Sequence, residues 1–129
     1  MKRILILAII GLFAAGCGKQ NAEPENRVDE RLVGTTYRTD GVKMMEVIWG
    51  YYYHLFDFDT ATSGVAYFAD RKGGQNGSDG DFTYRLDYPE LYITREDGKV
   101  EHYRFLDSRT FVLIKDDGEP NTMFTYYKQ

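Results

Sequence analysis

The chain has 129 residues, with 16 Lys or Arg against 20 Asp or Glu, one Cys, and an aromatic content of 16%. That length suits one ordinary domain, and the formal charge of -4 argues against nucleic acid, or an anionic bilayer held by a basic patch, as a partner. A lone Cys excludes a disulfide framework.

Met1-Lys2-Arg3 makes a short positive start, and residues 4–15 follow without a charge, mostly Ile, Leu, Ala and Phe. This is the pattern of an export signal, too short to span a bilayer that needs roughly 20 apolar residues. The side chains turn small at Ala14-Ala15-Gly16, and the next residue is Cys17. Here the chain resembles the lipobox of bacterial lipoproteins, with Ala14 where Leu is commoner. The resemblance implies diacylglycerol on the Cys17 sulfur, cleavage before it, and a fatty acyl group such as palmitate on the new amino group. Two or more acyl chains make such an anchor stable. Residues 1–16 are therefore expected to be a signal peptide, residues 17–31 the lipidated Cys and a flexible tether, and residues 32–129 a single domain. Residues 18–30 are polar, with Pro24 and one isolated apolar residue, Val28, which fits a solvated spacer. Cleavage would leave 14 basic residues against 20 acidic ones. Gly18 is not the Asp that retains some lipoproteins in the inner membrane, so the resemblance leans toward the outer membrane, facing either periplasm or medium.

From Leu32 onward, short apolar and aromatic runs alternate with turn signals. The strands expected, in order, are residues 32–39, 43–49, 51–58, 65–69, 82–87, 90–94, 100–106, 110–114 and 122–127. Asp97-Gly98 is the sharpest hairpin signal, because a two-residue turn needs positive φ. Residues 73–80, rich in Gly, read as a connection. No segment after Leu32 shows a helical stripe with caps. Phe82, Tyr84 and Leu86 share one strand face, and His54, Phe56 and Phe58 share another, so these are candidate core residues, with Tyr52 extending the second set. In residues 111–114 both faces are apolar. Eight or nine short strands joined by short turns predict an all-β fold, a small antiparallel meander barrel of about eight strands, closed so that no edge is left exposed; an orthogonal sandwich of two sheets is the near relative.

Leu32-Val33-Gly34-Thr35-Thr36-Tyr37, soon after a lipoprotein leader, resembles the start of small lipocalin-like, or calycin-like, bacterial lipoproteins. A looser similarity runs through Tyr53-His54-Leu55-Phe56-Asp57-Phe58, Gly64-Val65-Ala66-Tyr67-Phe68 and Tyr103-Arg104-Phe105-Leu106-Asp107. The resemblance implies a barrel with an aromatic plug at one end. The chain departs from the Gly-x-Trp motif of true lipocalins: Thr36 stands in the Trp place and Tyr37 one residue later, so Tyr37 takes the plug role only through a bulge or a shifted register.

No catalytic residue, metal ligand set or cofactor is expected. His54 and His102 are separated and lack a short ligand motif. Asp57 and Asp59 sit about 6.6 Å apart on one strand face, where solvated turn acids are the simpler reading than a catalytic pair. Aligned at Asn76, the loop of residues 70–81 fails the EF-hand pattern at Gly80 and Asp81, and Ser63, Ser78 and Ser108 lie in no nucleophile motif. The unusual feature is Tyr, with 11 residues including Tyr51-Tyr52-Tyr53. Parity puts Tyr51 and Tyr53 opposite the core face, and Trp49 extends that side if Gly50 makes no bulge. Trp49, Tyr51 and Tyr53 are therefore the candidate binding residues, since Tyr and Trp are favoured at binding hot spots. Two functions follow. One is a non-enzymatic envelope lipoprotein that binds a protein or glycan through this aromatic surface. The alternative is a lipocalin-like carrier of a small apolar ligand, against which Phe56, Phe58, Phe82, Tyr84 and Leu86 compete for the lumen. The expected partners are membrane lipid at the anchor and that protein or glycan.

Overall fold

The computed structural model describes residues 28–129, except the Asn76 side chain; the leader, Cys17 and most of the expected tether lie outside the described residues. Eight antiparallel strands close into a barrel: β1 (Thr35–Thr39), β2 (Tyr53–Phe58), β3 (Ser63–Ala69), β4 (Gln75–Asp87), β5 (Glu90–Arg95), β6 (Val100–Asp107), β7 (Thr110–Ile114) and β8 (Pro120–Lys128). Each strand pairs with the next, and β8 returns to β1 through Tyr37 opposite Lys128 and Thr39 opposite Tyr126. The all-β meander barrel read from the sequence is the observed fold.

Two expectations of local structure are overturned. Residues 43–49 form not a strand but helix α1 (Lys43–Trp49), ended by Gly50 in the left-handed conformation (φ 79°), whose N–H donates to the Glu46 carbonyl. Its Val, Ile and Trp carry strand propensity. Only Met45 is buried, while Met44, Val47, Ile48 and Trp49 are largely exposed, so the helix lacks the apolar stripe by which it could be recognised. An Arg71 fork on the Glu46 carboxylate ties α1 to the turn after β3. The second change is at residues 75–80, read as a connection and found to extend β4 to 13 residues. Their pairing with β3 is irregular: Val65 opposes Asp81 and Tyr67 opposes Ser78, so two β4 residues, Asp79 and Gly80, stand against Ala66 alone. Gly80, at φ 88°, is the kind of residue such a bulge requires.

Antiparallel order places the β2–β3, β4–β5 and β6–β7 turns with the start of β1 and the end of β8 at one end of the barrel, and α1 with the other three connections at the opposite end. The first end is packed. Tyr37 is 1% exposed and meets Phe58 and Phe105 edge-on, at centroid distances of 6.0 and 5.9 Å. Thr36 points away and bonds Asp57 on the neighbouring strand, so it is Tyr37 that helps plug this end, and it does so in regular register with both neighbours, without the bulge or shift expected for that role. Leu32 is buried beside it in the turn before β1, where the Gly34 N–H reaches the Phe58 carbonyl. Phe56, Phe58, Phe82 and Tyr84 continue the filling upward, as their parity requires. Gly64 lets β2 and β3 close over this core, because a Cβ there would lie 2.2 Å from the Asp57 carbonyl oxygen and 2.6 Å from the Phe82 ring. Phe111, Val112 and Ile114 are all buried, so β7 is covered on both faces. Among the described residues no helix is long and apolar enough to cross a membrane.

Candidate functional site

Above the packed half the lumen opens into a cavity of about 500 Å³. Its wall is apolar: Phe68 from β3, Leu113 from β7, Phe124 from β8, Tyr51 from the segment before β2, and Met45 and Trp49 from α1, which lies over the mouth. Its polar lining comes from His54, Asp79, Arg95, Glu101, Tyr103 and Tyr126.

Parity explains most of this inner layer. Leu91, Ile93 and Arg95 share the inner face of β5, and Glu101, Tyr103 and Phe105 that of β6, so a charge replaces an apolar residue on each strand at its open-end terminus. Asp79 follows a different rule. Below the bulge the inner residues of β4 are even-numbered, whereas Asp79 turns inward because the extra residue reverses the alternation.

The polar groups form a connected network. The two ring nitrogens of His54 lie 2.7 Å from the Tyr126 hydroxyl and from Asp79 Oδ2. An ionised carboxylate only accepts, so Nε2 carries a proton and donates to Asp79; the network is satisfied with Tyr126 donating to Nδ1. Arg95 Nη2 donates to both the carbonyl and the carboxylate of Asp79. The Tyr103 hydroxyl donates to Glu101 Oε1 at 2.8 Å. Burial alone would raise the Asp79 pKa, but bonds from His54 and Arg95 hold it below the ordinary 3.8. Burial, aided by the charge of Glu101, pushes the Tyr126 hydroxyl far up, and burial with Tyr126 and Glu101 nearby does the same to Tyr103, so both stay protonated donors.

The three residues read as one aromatic surface are not on one face. Trp49 and Tyr51 line the cavity mouth, Tyr51 stacking on Phe68 at 4.5 Å and 16°. Tyr53 lies elsewhere, under the Arg38 guanidinium at 4.0 Å. Tyr52, expected in the core, is only half-buried: β2 begins at Tyr53, so strand parity does not extend to it, and its ring rests against Gly41 and beneath Arg71. His102, on the outer wall, stacks on Tyr92 and bonds Glu90, while Asp59 is exposed in a turn.

No family model, curated protein or solved structure matches this chain. The closed eight-stranded antiparallel barrel is consistent with the calycin and lipocalin-like architecture in general. Of the residues expected to compete with a ligand for the lumen, Phe56, Phe58, Phe82 and Tyr84 are buried in one half with Leu86 packed against them, while the charged inner residues Asp79, Arg95 and Glu101 line the other, open half.

Proposed function

We propose that this is a non-enzymatic envelope lipoprotein of the small lipocalin-like kind, whose barrel holds a small, largely apolar or aromatic molecule in its open half. The observation that carries this reading is the 500 Å³ cavity with an aromatic wall, a hydrogen-bonded polar layer and a helix over its mouth. Size, concavity and a few convergent polar groups on an apolar surface are the marks of a ligand site. The decisive measurement is binding of the neutral fluorescent probe N-phenyl-naphthylamine to the wild type and to Leu113→Trp, which narrows the lumen from the wall. Saturable binding that falls at least about tenfold in the variant, with cooperative melting retained, is expected. Equal binding by the two proteins would remove the lumen from the account. The outward face of α1 favours a second reading, contact with a protein or glycan at the rim. Trp49 is 54% exposed there, beside the exposed Val47 and Ile48.

The lipid anchor belongs to the same proposal. Cys17 is the single Cys of the chain and stands where a lipobox would use it. The mature product is expected to begin at Cys17, partition into detergent and show added acyl mass, with the outer membrane its destination. Cys17→Ser should abolish the added mass, and a native product that is unmodified and begins elsewhere would defeat this part of the proposal.

A further inference from the structure

On the reading that the lumen is a ligand site, we infer that its ligand carries a cationic head, a protonated amine or quaternary ammonium, received by Glu101 among aromatic rings. Two carboxylates, Asp79 and Glu101, face one guanidinium in this layer, and they are not equally served by it. The Asp79 carboxylate takes one short bond from Arg95 Nη2 and one from His54, and the Asp79 backbone carbonyl takes a second Nη2 bond. Glu101 meets Arg95 Nη1 only at 3.4 and 3.5 Å, and its one short bond is the Tyr103 hydroxyl. An ionised carboxylate can accept about four hydrogen bonds, and the Glu101 side chain, which lines the cavity, is 20% exposed. It therefore retains acceptor capacity where a ligand can reach it.

The same inventory disfavours an anionic head. The one Arg95 nitrogen without a partner, Nε, is buried out of reach, and the others are already directed at acceptors. A ligand carboxylate would thus approach two like charges and find no free guanidinium donor. A cation meets the opposite case: two carboxylates against one guanidinium leave an excess negative charge, and Glu101 is the more loosely paired of the two, in a cavity that Tyr51, Phe68, Tyr103, Phe124 and Tyr126 also line with rings able to attract positive charge. The low polarity of the wall strengthens that attraction relative to water.

The test uses three ligands that share one ring system and differ in charge: naphthalenemethylamine, naphthalenemethanol and naphthylacetate, titrated calorimetrically at neutral pH into the full mature chain and into Glu101→Gln. The amine is expected to bind at least about tenfold more tightly than the alcohol, the scale of one charge-assisted hydrogen bond, with naphthylacetate weakest. Glu101→Gln should abolish the preference for the amine over the alcohol, with the loss falling mainly on the amine. Saturable binding of all three with no preference for the amine, or a preference that survives in Glu101→Gln, overturns the head-group assignment and spares the lumen reading. Failure of all three to bind, together with failure of N-phenyl-naphthylamine, defeats the lumen reading itself.

Discussion

Phe56→Ala is expected to cost roughly 3–5 kcal/mol of folding stability, the range for deleting a fully buried aromatic ring. Phe56 has no exposed surface and stands where the packed half of the barrel meets the cavity. Its ring lies 5.3 Å from Phe82 and 5.7 Å from Tyr103, both nearly perpendicular, and 4.9 Å from Tyr126. It also meets His54 edge-on at 5.0 Å. Neighbours on four strands cannot all move in to fill the gap, because each is held by its own register. With a domain stability of about 5–15 kcal/mol, a loss of this size removes a large share of it. Urea unfolding should show a lower midpoint with little change in slope. Trp49→Ala, at an exposed position on α1, should shift the midpoint far less. Loss below about 1 kcal/mol for Phe56→Ala would mean that this ring is not the keystone of the core.

The barrel was legible because its strands are half-buried. Alternation in Phe82-Thr83-Tyr84-Arg85-Leu86 reports a wet face and a dry face, the inward set His54, Phe56 and Phe58 is read the same way although Leu55 opposite them is buried too, and Asp97-Gly98 marks its hairpin directly. The cavity was less legible for three physical reasons. Helix α1 buries a single residue, so no periodicity betrays it. The bulge at Asp79 and Gly80 reverses parity within one strand, and nothing in the local composition fixes its position. Tyr51 and Tyr52 precede β2, where strand alternation does not apply. Arg95 and Glu101 did offer a signal, each continuing an apolar inner face as a charge, and read together they mark the layer at which the core ends.

That layer supports the second large effect. Arg95→Leu is expected to destabilise the protein by about 2–3 kcal/mol near neutral pH, less than the 3–5 kcal/mol typical of breaking a fully buried ion pair, because Asp79 is 31% exposed and solvent screens part of the charge. Leucine keeps part of the apolar stem but removes the guanidinium that stands 5.8 Å from the Phe56 ring centroid, and leaves Asp79 with only the His54 donor and Glu101 with only Tyr103. The pH dependence separates this cause from a simple packing defect. In the wild type the Asp79 pKa lies below its ordinary 3.8, so the stability it contributes is fully present above that value and is lost as the pH falls through the lower folded value. Without Arg95, desolvation of Asp79 is opposed by fewer donors, and its folded pKa should rise; protonation then relieves the variant while it penalises the wild type. The stability gap should therefore be widest near neutrality and narrow between about pH 6 and about pH 3, around the ordinary carboxylate range. Denaturation midpoints of both proteins across that interval measure it directly. A gap that stays constant down to acid pH would show that Arg95 supports the barrel through its stem alone, and would remove the charge network from the account of the cavity.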